Sequence, residues 1–84
     1  MLGYALDEDG DKAGAEAAYR AAIAADPQLV RAHGNLGCIL GERGDLAGAA
    51  RSFAAALKID SSFANAKAGL QLALRMLKEE RREA

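Results

Sequence analysis

Two stretches of the 84-residue chain repeat each other 34 residues apart, and this recurrence restricts the fold more than any other feature. Leu2, Gly3, Leu6, Gly10, Asp11, Ala13, Gly14, Ala15, Ala22 and Asp26 return as Leu36, Gly37, Leu40, Gly44, Asp45, Ala47, Gly48, Ala49, Ala56 and Asp60. Where identity is lost, bulk is kept: Tyr19 returns as Phe53, Ile23 as Leu57 and Leu29 as Phe63. A fixed period of this length marks a solenoid, whose units bury their apolar faces only against neighbouring units.

The recurring residues also indicate what each unit contains. Gly10-Asp11 and Gly44-Asp45 separate apolar-periodic segments. Glycine can adopt the left-handed conformation that ends one helix, and aspartate can cap the next. Each pair therefore predicts the tight turn of a helical hairpin. Gly3 and Gly37 are expected to face Ala15 and Ala49, letting the two helices approach closely, with Tyr19 and Phe53 filling the space beyond. Asp26-Pro27 restarts the chain, Pro being tolerated in a first helical turn, and Asp60-Ser61-Ser62 restarts it by capping alone. The expected helices cover residues 1 to 8, 12 to 25, 28 to 43, 46 to 58 and 62 to 82, with no competing strand signal. In the last, Ala66, Leu70, Ala73, Leu74 and Leu77 form one apolar stripe at helical spacing, followed by the charged run from Lys78 to Glu83. Leu40 and Phe53 are expected at the centre of a thin core.

These residues resemble the tetratricopeptide repeat family. Leu36-Gly37, Leu40, Ala49, Phe53 and Ala56 fit its pattern in the second unit, with Ser61 in the Pro slot and His33 in the slot usually held by Trp. Leu2-Gly3, Leu6, Ala15, Tyr19, Ala22 and Pro27 fit the first, and Ala64 onward begins a third, with Leu70 in the Leu slot and Gln71 in the Gly slot. The resemblance implies an all-α solenoid, a right-handed stack of antiparallel helix pairs forming one domain. Residues 1–29 make an N-terminally incomplete repeat, 30–63 a full repeat and 64–84 a capping helix. By this register Met1 enters about five residues late. The outer side of the first unit is then expected to lack a polar cap and to self-associate at high concentration.

The resemblance further implies a concave, partner-binding surface lined by the first helix of each pair. One residue at a time, it presents Tyr4, Asp7 and Glu8; Arg31, Gly34, Asn35, Cys38, Gly41 and Glu42; and Asn65, Ala68, Leu72, Arg75 and Met76. Leu72 and Met76 read as a partly exposed apolar strip or as overflow of the core stripe. Family members that grip the acidic tails of heat-shock chaperones use converging Lys, Arg and Asn side chains. Only Asn35 matches that set; Tyr4, Asn65 and Gly69 stand in three of its other slots, so a bare carboxylate has little to hold it. The expected function is a scaffold that takes a peptide or helical segment of a protein partner. The alternative is an assembly element that stacks on other copies or on flanking repeats, without a separate ligand.

Composition narrows the classes further. The formal net charge of −1 draws the surface toward neither phosphate backbones nor anionic lipid, so neither nucleic acid nor membrane is an expected partner. Cys38 is the sole cysteine, which rules out an internal disulfide and fits a reducing, cytoplasmic setting. No enzyme activity, cofactor or metal is expected. His33 and Cys38 lie five residues apart and so diverge by roughly 140° around a helix. We read His33 as a half-buried structural residue and Cys38 as a small wall residue. Asp7, Glu8 and Asp9 lack a calcium-loop pattern and read as a solvated helix end.

Overall fold

The computed structural model describes the backbone of residues 2–83 and the side chains of residues 11–80. Four helices follow one another: α1 (Leu2–Ala25), α2 (Val30–Glu42), α3 (Leu46–Ile59) and α4 (Ala64–Glu83). No strand occurs among the described residues, and the chain is an all-α helical repeat.

The turn between α2 and α3 forms as its glycine and aspartate dictate. Gly44 has φ +91°; its N–H donates to the Gly41 carbonyl at 3.1 Å and the Asp45 N–H to the Leu40 carbonyl at 2.8 Å. This pair of bonds satisfies carbonyls that the end of α2 leaves open. Asp45 then caps α3, its Oδ1 accepting the Gly48 N–H at 2.9 Å. Leu46, the next residue, is buried and anchors the hairpin.

The equivalent turn expected at Gly10-Asp11 is absent: the backbone runs as one helix from Leu2 to Ala25. The difference has a local cause. Lys12 stands where the second unit has Leu46, so no apolar residue anchors the bend. A separate helix of eight residues is also marginal in water, whereas continuing into the alanine-rich stretch from Ala13 to Ala25 adds a backbone hydrogen bond per residue.

The inter-repeat turns resemble each other. The Asp26 and Asp60 side chains accept the N–H of Gln28 at 3.1 Å and of Ser62 at 3.0 Å, and their carbonyls accept the N–H of Leu29 and Phe63. These are aspartate-initiated turns. Pro27 lies inside the turn, three residues before α2 begins at Val30, and not in the first helical turn as expected. The Ser62 hydroxyl and backbone N–H together hold the Asp60 carboxyl below its usual range.

Leu36, Leu40, Ala49, Phe53, Ala56, Ala66 and Ala73 form the core, with Tyr19, Ile23, Val30 and Leu70 packed against it. Leu40 and Phe53 are central, as expected. Leu74 is not part of the stripe: it is 51% exposed, and α4 packs instead through Ala66, Leu70, Ala73 and the half-buried Leu77. The close contacts between α2 and α3 sit one turn away from the expected pairing. Gly41 faces Ala49, while Gly37 faces the Phe53 ring. Among the described residues α2 touches the other three helices, whereas α1 touches α2 alone.

Candidate functional site

Phe53 occupies a slot that glycines on two other helices leave open. A methyl group on Gly37 of α2 would come within 2.8 Å of the Phe53 ring, and one on Gly69 of α4 would come closer still. The missing side chains let both α2 and α4 close on the ring. Above it they leave a groove of about 360 Å³.

The walls of this groove are apolar. Gly37, Gly41 and Cys38 come from α2, Leu46, Ala49 and Phe53 from α3, and Gly69, Leu72, Ala73 and Met76 from α4, with Glu42 the one charged residue at the lining. Leu72 and Met76 are 52% and 40% exposed, so they are not overflow of the core. They form an apolar rim in contact with water.

Of the site residues expected from sequence, Cys38, Gly41, Glu42, Leu72 and Met76 come together here. Arg31, Asn35, Asn65 and Arg75 are exposed but do not line the groove. Gly34 is not open to a ligand: it is buried, and the Phe63 ring fills the space beside it, 2.8 Å from where a methyl group would stand. Tyr4, Asp7 and Glu8 lie outside the residues whose side chains are described. Gly69 and Leu46 were missed as groove residues. The only trace of Leu46 in the sequence is an apolar residue after a Gly-Asp turn, and the role of Gly69 depends on an approach of α4 to α3 that no local pattern encodes.

A second cleft, of about 420 Å³, lies on the other side of α2. Ile23 and Arg20 of α1, His33, Leu36 and Leu40 of α2, and Arg51 and Ser52 of α3 border it. His33 Nε2 is 3.0 Å from the Pro27 carbonyl oxygen. Since that oxygen only accepts, Nε2 carries the hydrogen and donates, so the half-buried ring ties α2 to the preceding turn. His33 and Cys38 thus face opposite clefts. Arg20 pairs with Glu16 at 3.0 Å, and Arg43, at the end of α2, approaches the same carboxylate at 3.6 Å. Such exposed pairs contribute little to stability. Among the described residues no group of three or more His, Cys, Asp or Glu is placed to hold a metal ion. No described helix is long and apolar enough to cross a membrane.

A family model described as Tetratricopeptide repeat matches the chain twice, over residues 1–29 and 30–63. Comparison with curated proteins gives no match.

Proposed function

Since the chain belongs to the tetratricopeptide repeat family, whose domains are generally non-enzymatic and bind protein partners, we propose that the groove between α2 and α4 takes an apolar anchor from a peptide or helical segment of another protein. The observation that carries this reading is the apolar trough over Phe53, rimmed by the exposed Leu72 and Met76. Two apolar walls around a preformed hollow suit an inserted side chain, as in helix-in-groove recognition. No residue is assigned a catalytic role. A short groove buries less surface than a standard stable interface, so affinity should be modest. With a single charged residue at the lining it should respond weakly to salt. The same reading puts the protein in a reducing, cytoplasmic setting, where the exposed Cys38 thiol stays unpaired.

The test measures binding of a partner segment recovered with the parent protein, using calorimetry on purified variants. Leu72→Glu replaces a rim residue by a charge and forfeits about 1.5–3 kcal/mol of apolar burial, so affinity should fall roughly tenfold to hundredfold. Arg20→Ala, on the opposite cleft, should leave affinity unchanged. Binding that survives Leu72→Glu and is lost in Arg20→Ala would place the partner on the other face of α2.

A further inference from the structure

The cleft on the far side of α2 exists because α1 and α3 straddle that helix without meeting. Among the described residues both pack on α2, and α1 packs on no other helix. The α3 wall is low, since the residues it turns to the cleft at helical spacing are Gly48, Ser52 and Ala55. The floor is apolar, built from Ile23 of α1 with Leu36 and Leu40 of α2. An exposed arginine stands on each wall, Arg20 on α1 and Arg51 on α3.

The repeat itself does not call for these two cations. The position of Arg20 is held by Ala54 in the second unit, and that of Arg51 by Ala17 in the first. Arginine therefore stands on both walls of the cleft that the two units enclose, and at neither equivalent position outside it. The carboxylates nearby are already engaged. Glu16 is shared by Arg20, which meets it through Nε at 3.0 Å, and by Arg43 at 3.6 Å, while Asp45 caps α3 through Oδ1. Arg51 forms no ion pair among the described residues, and Lys58, two turns further along the same face of α3, extends the cationic rim. A formal net charge of −1 thus conceals a local excess of positive charge around an apolar floor.

We propose that this cleft is a second binding site, independent of the groove over Phe53, and that it takes an acidic segment of a partner protein in which a large aliphatic side chain is flanked by aspartate or glutamate. The aliphatic side chain covers Ile23 and the edges of Leu36 and Leu40. Carboxylates on either side of it pair with Arg20 and Arg51, whose forked N–H groups match them. A cleft of about 420 Å³ is of the size usual for a ligand site. A phosphate backbone suits it less well, because it would meet the cations and have nothing to lay on the apolar floor. The two faces of α2 then hold segments of different character, a neutral apolar one over Phe53 and an acidic one between α1 and α3. Binding in the cleft weakens as salt rises; binding in the groove does not.

The test follows the amide resonances of isotope-labelled protein during titration with the end-capped peptide Gly-Glu-Glu-Leu-Glu-Glu-Gly, at low and at high ionic strength. Shifts should concentrate at Arg20, Ile23, Leu36 and Ser52 and spare Gly69 and Met76. Arg20→Gln and Arg51→Gln should each weaken binding about threefold to fivefold; both arginines are exposed, and undisturbed spectra of the free variants verify the fold. Replacing the peptide's Leu by Ser should weaken binding about tenfold through lost apolar burial. Leu72→Glu, in the groove, should leave the affinity for this peptide unchanged, so that the groove reading and this one fail separately. Absence of localised shifts at millimolar peptide overturns the proposal, as does an Arg51→Gln variant with the parent's affinity. Equal binding of the Ser peptide overturns it too, by reducing the cleft to a diffuse cationic patch, and tighter binding of oligothymidylate does so by making it a phosphate site.

Discussion

Phe53→Ala is expected to abolish the cooperative thermal transition of this chain. Truncating a buried Phe typically costs about 3–5 kcal/mol, and a domain this short has a total stability on the order of 5 kcal/mol. The upper end of the range applies here. The ring is 5% exposed and is contacted from α2 and α4 at positions held by glycine. Gly37 and Gly69 have no side chains that can lean into the space the ring vacates. Circular dichroism melting and urea titration measure the effect. A variant within about 1 kcal/mol of the parent would show that the ring is not what joins the three helices.

Gly69→Ala is expected to destabilise although it replaces glycine by the best helix former. The propensity gain is about 1 kcal/mol. Against it stands a methyl group driven into the Phe53 ring, and overpacking of a filled core costs about 1–3 kcal/mol. The ring has little room to retreat, because Gly37 of α2 is packed against it as well. Net destabilisation of about 1 kcal/mol is therefore expected from the balance of these terms, and the same substitution in a Phe53→Leu background should stabilise. That reversal is an interaction energy between neighbours, which a double-mutant cycle reads directly. Gly14→Ala serves as the control. Nothing lies within 4 Å of a methyl group there, so it should stabilise by about the full 1 kcal/mol of propensity. Urea midpoints for the five proteins decide the matter; a stabilising Gly69→Ala in the parent would mean that α4 rides higher over the ring.

The helices were legible in the sequence wherever the residues act locally. Gly44 and Asp45 could be read as the end of one helix and the cap of the next because both roles depend on a few adjacent backbone groups. The same dipeptide at Gly10-Asp11 misled, since a turn signal bends a chain only when something beyond it anchors the bend, and Lys12 provides no such anchor. Leu74 misled for a related reason. Its spacing fits an apolar stripe, but the small residues Ala66, Gly69 and Ala73 set which side of α4 can approach α3, and Leu74 falls outside that side. The groove was half legible. The resemblance supplied Cys38, Gly41, Glu42, Leu72 and Met76, whereas the floor over Phe53 depends on three helices meeting, which spacing along one helix does not reveal.

That α1 touches a single neighbour among the described residues has a consequence for how the molecule breathes. In a linear array each element is held by the interfaces it makes, so the least-connected element opens first and most often. For an isolated chain, detaching α1 breaks its contact with α2 and leaves the α2, α3 and α4 core intact, Phe53 included. Amide protons of α1 should therefore exchange with solvent through a local opening, while those of α3, gripped from both sides, exchange only when the whole chain unfolds.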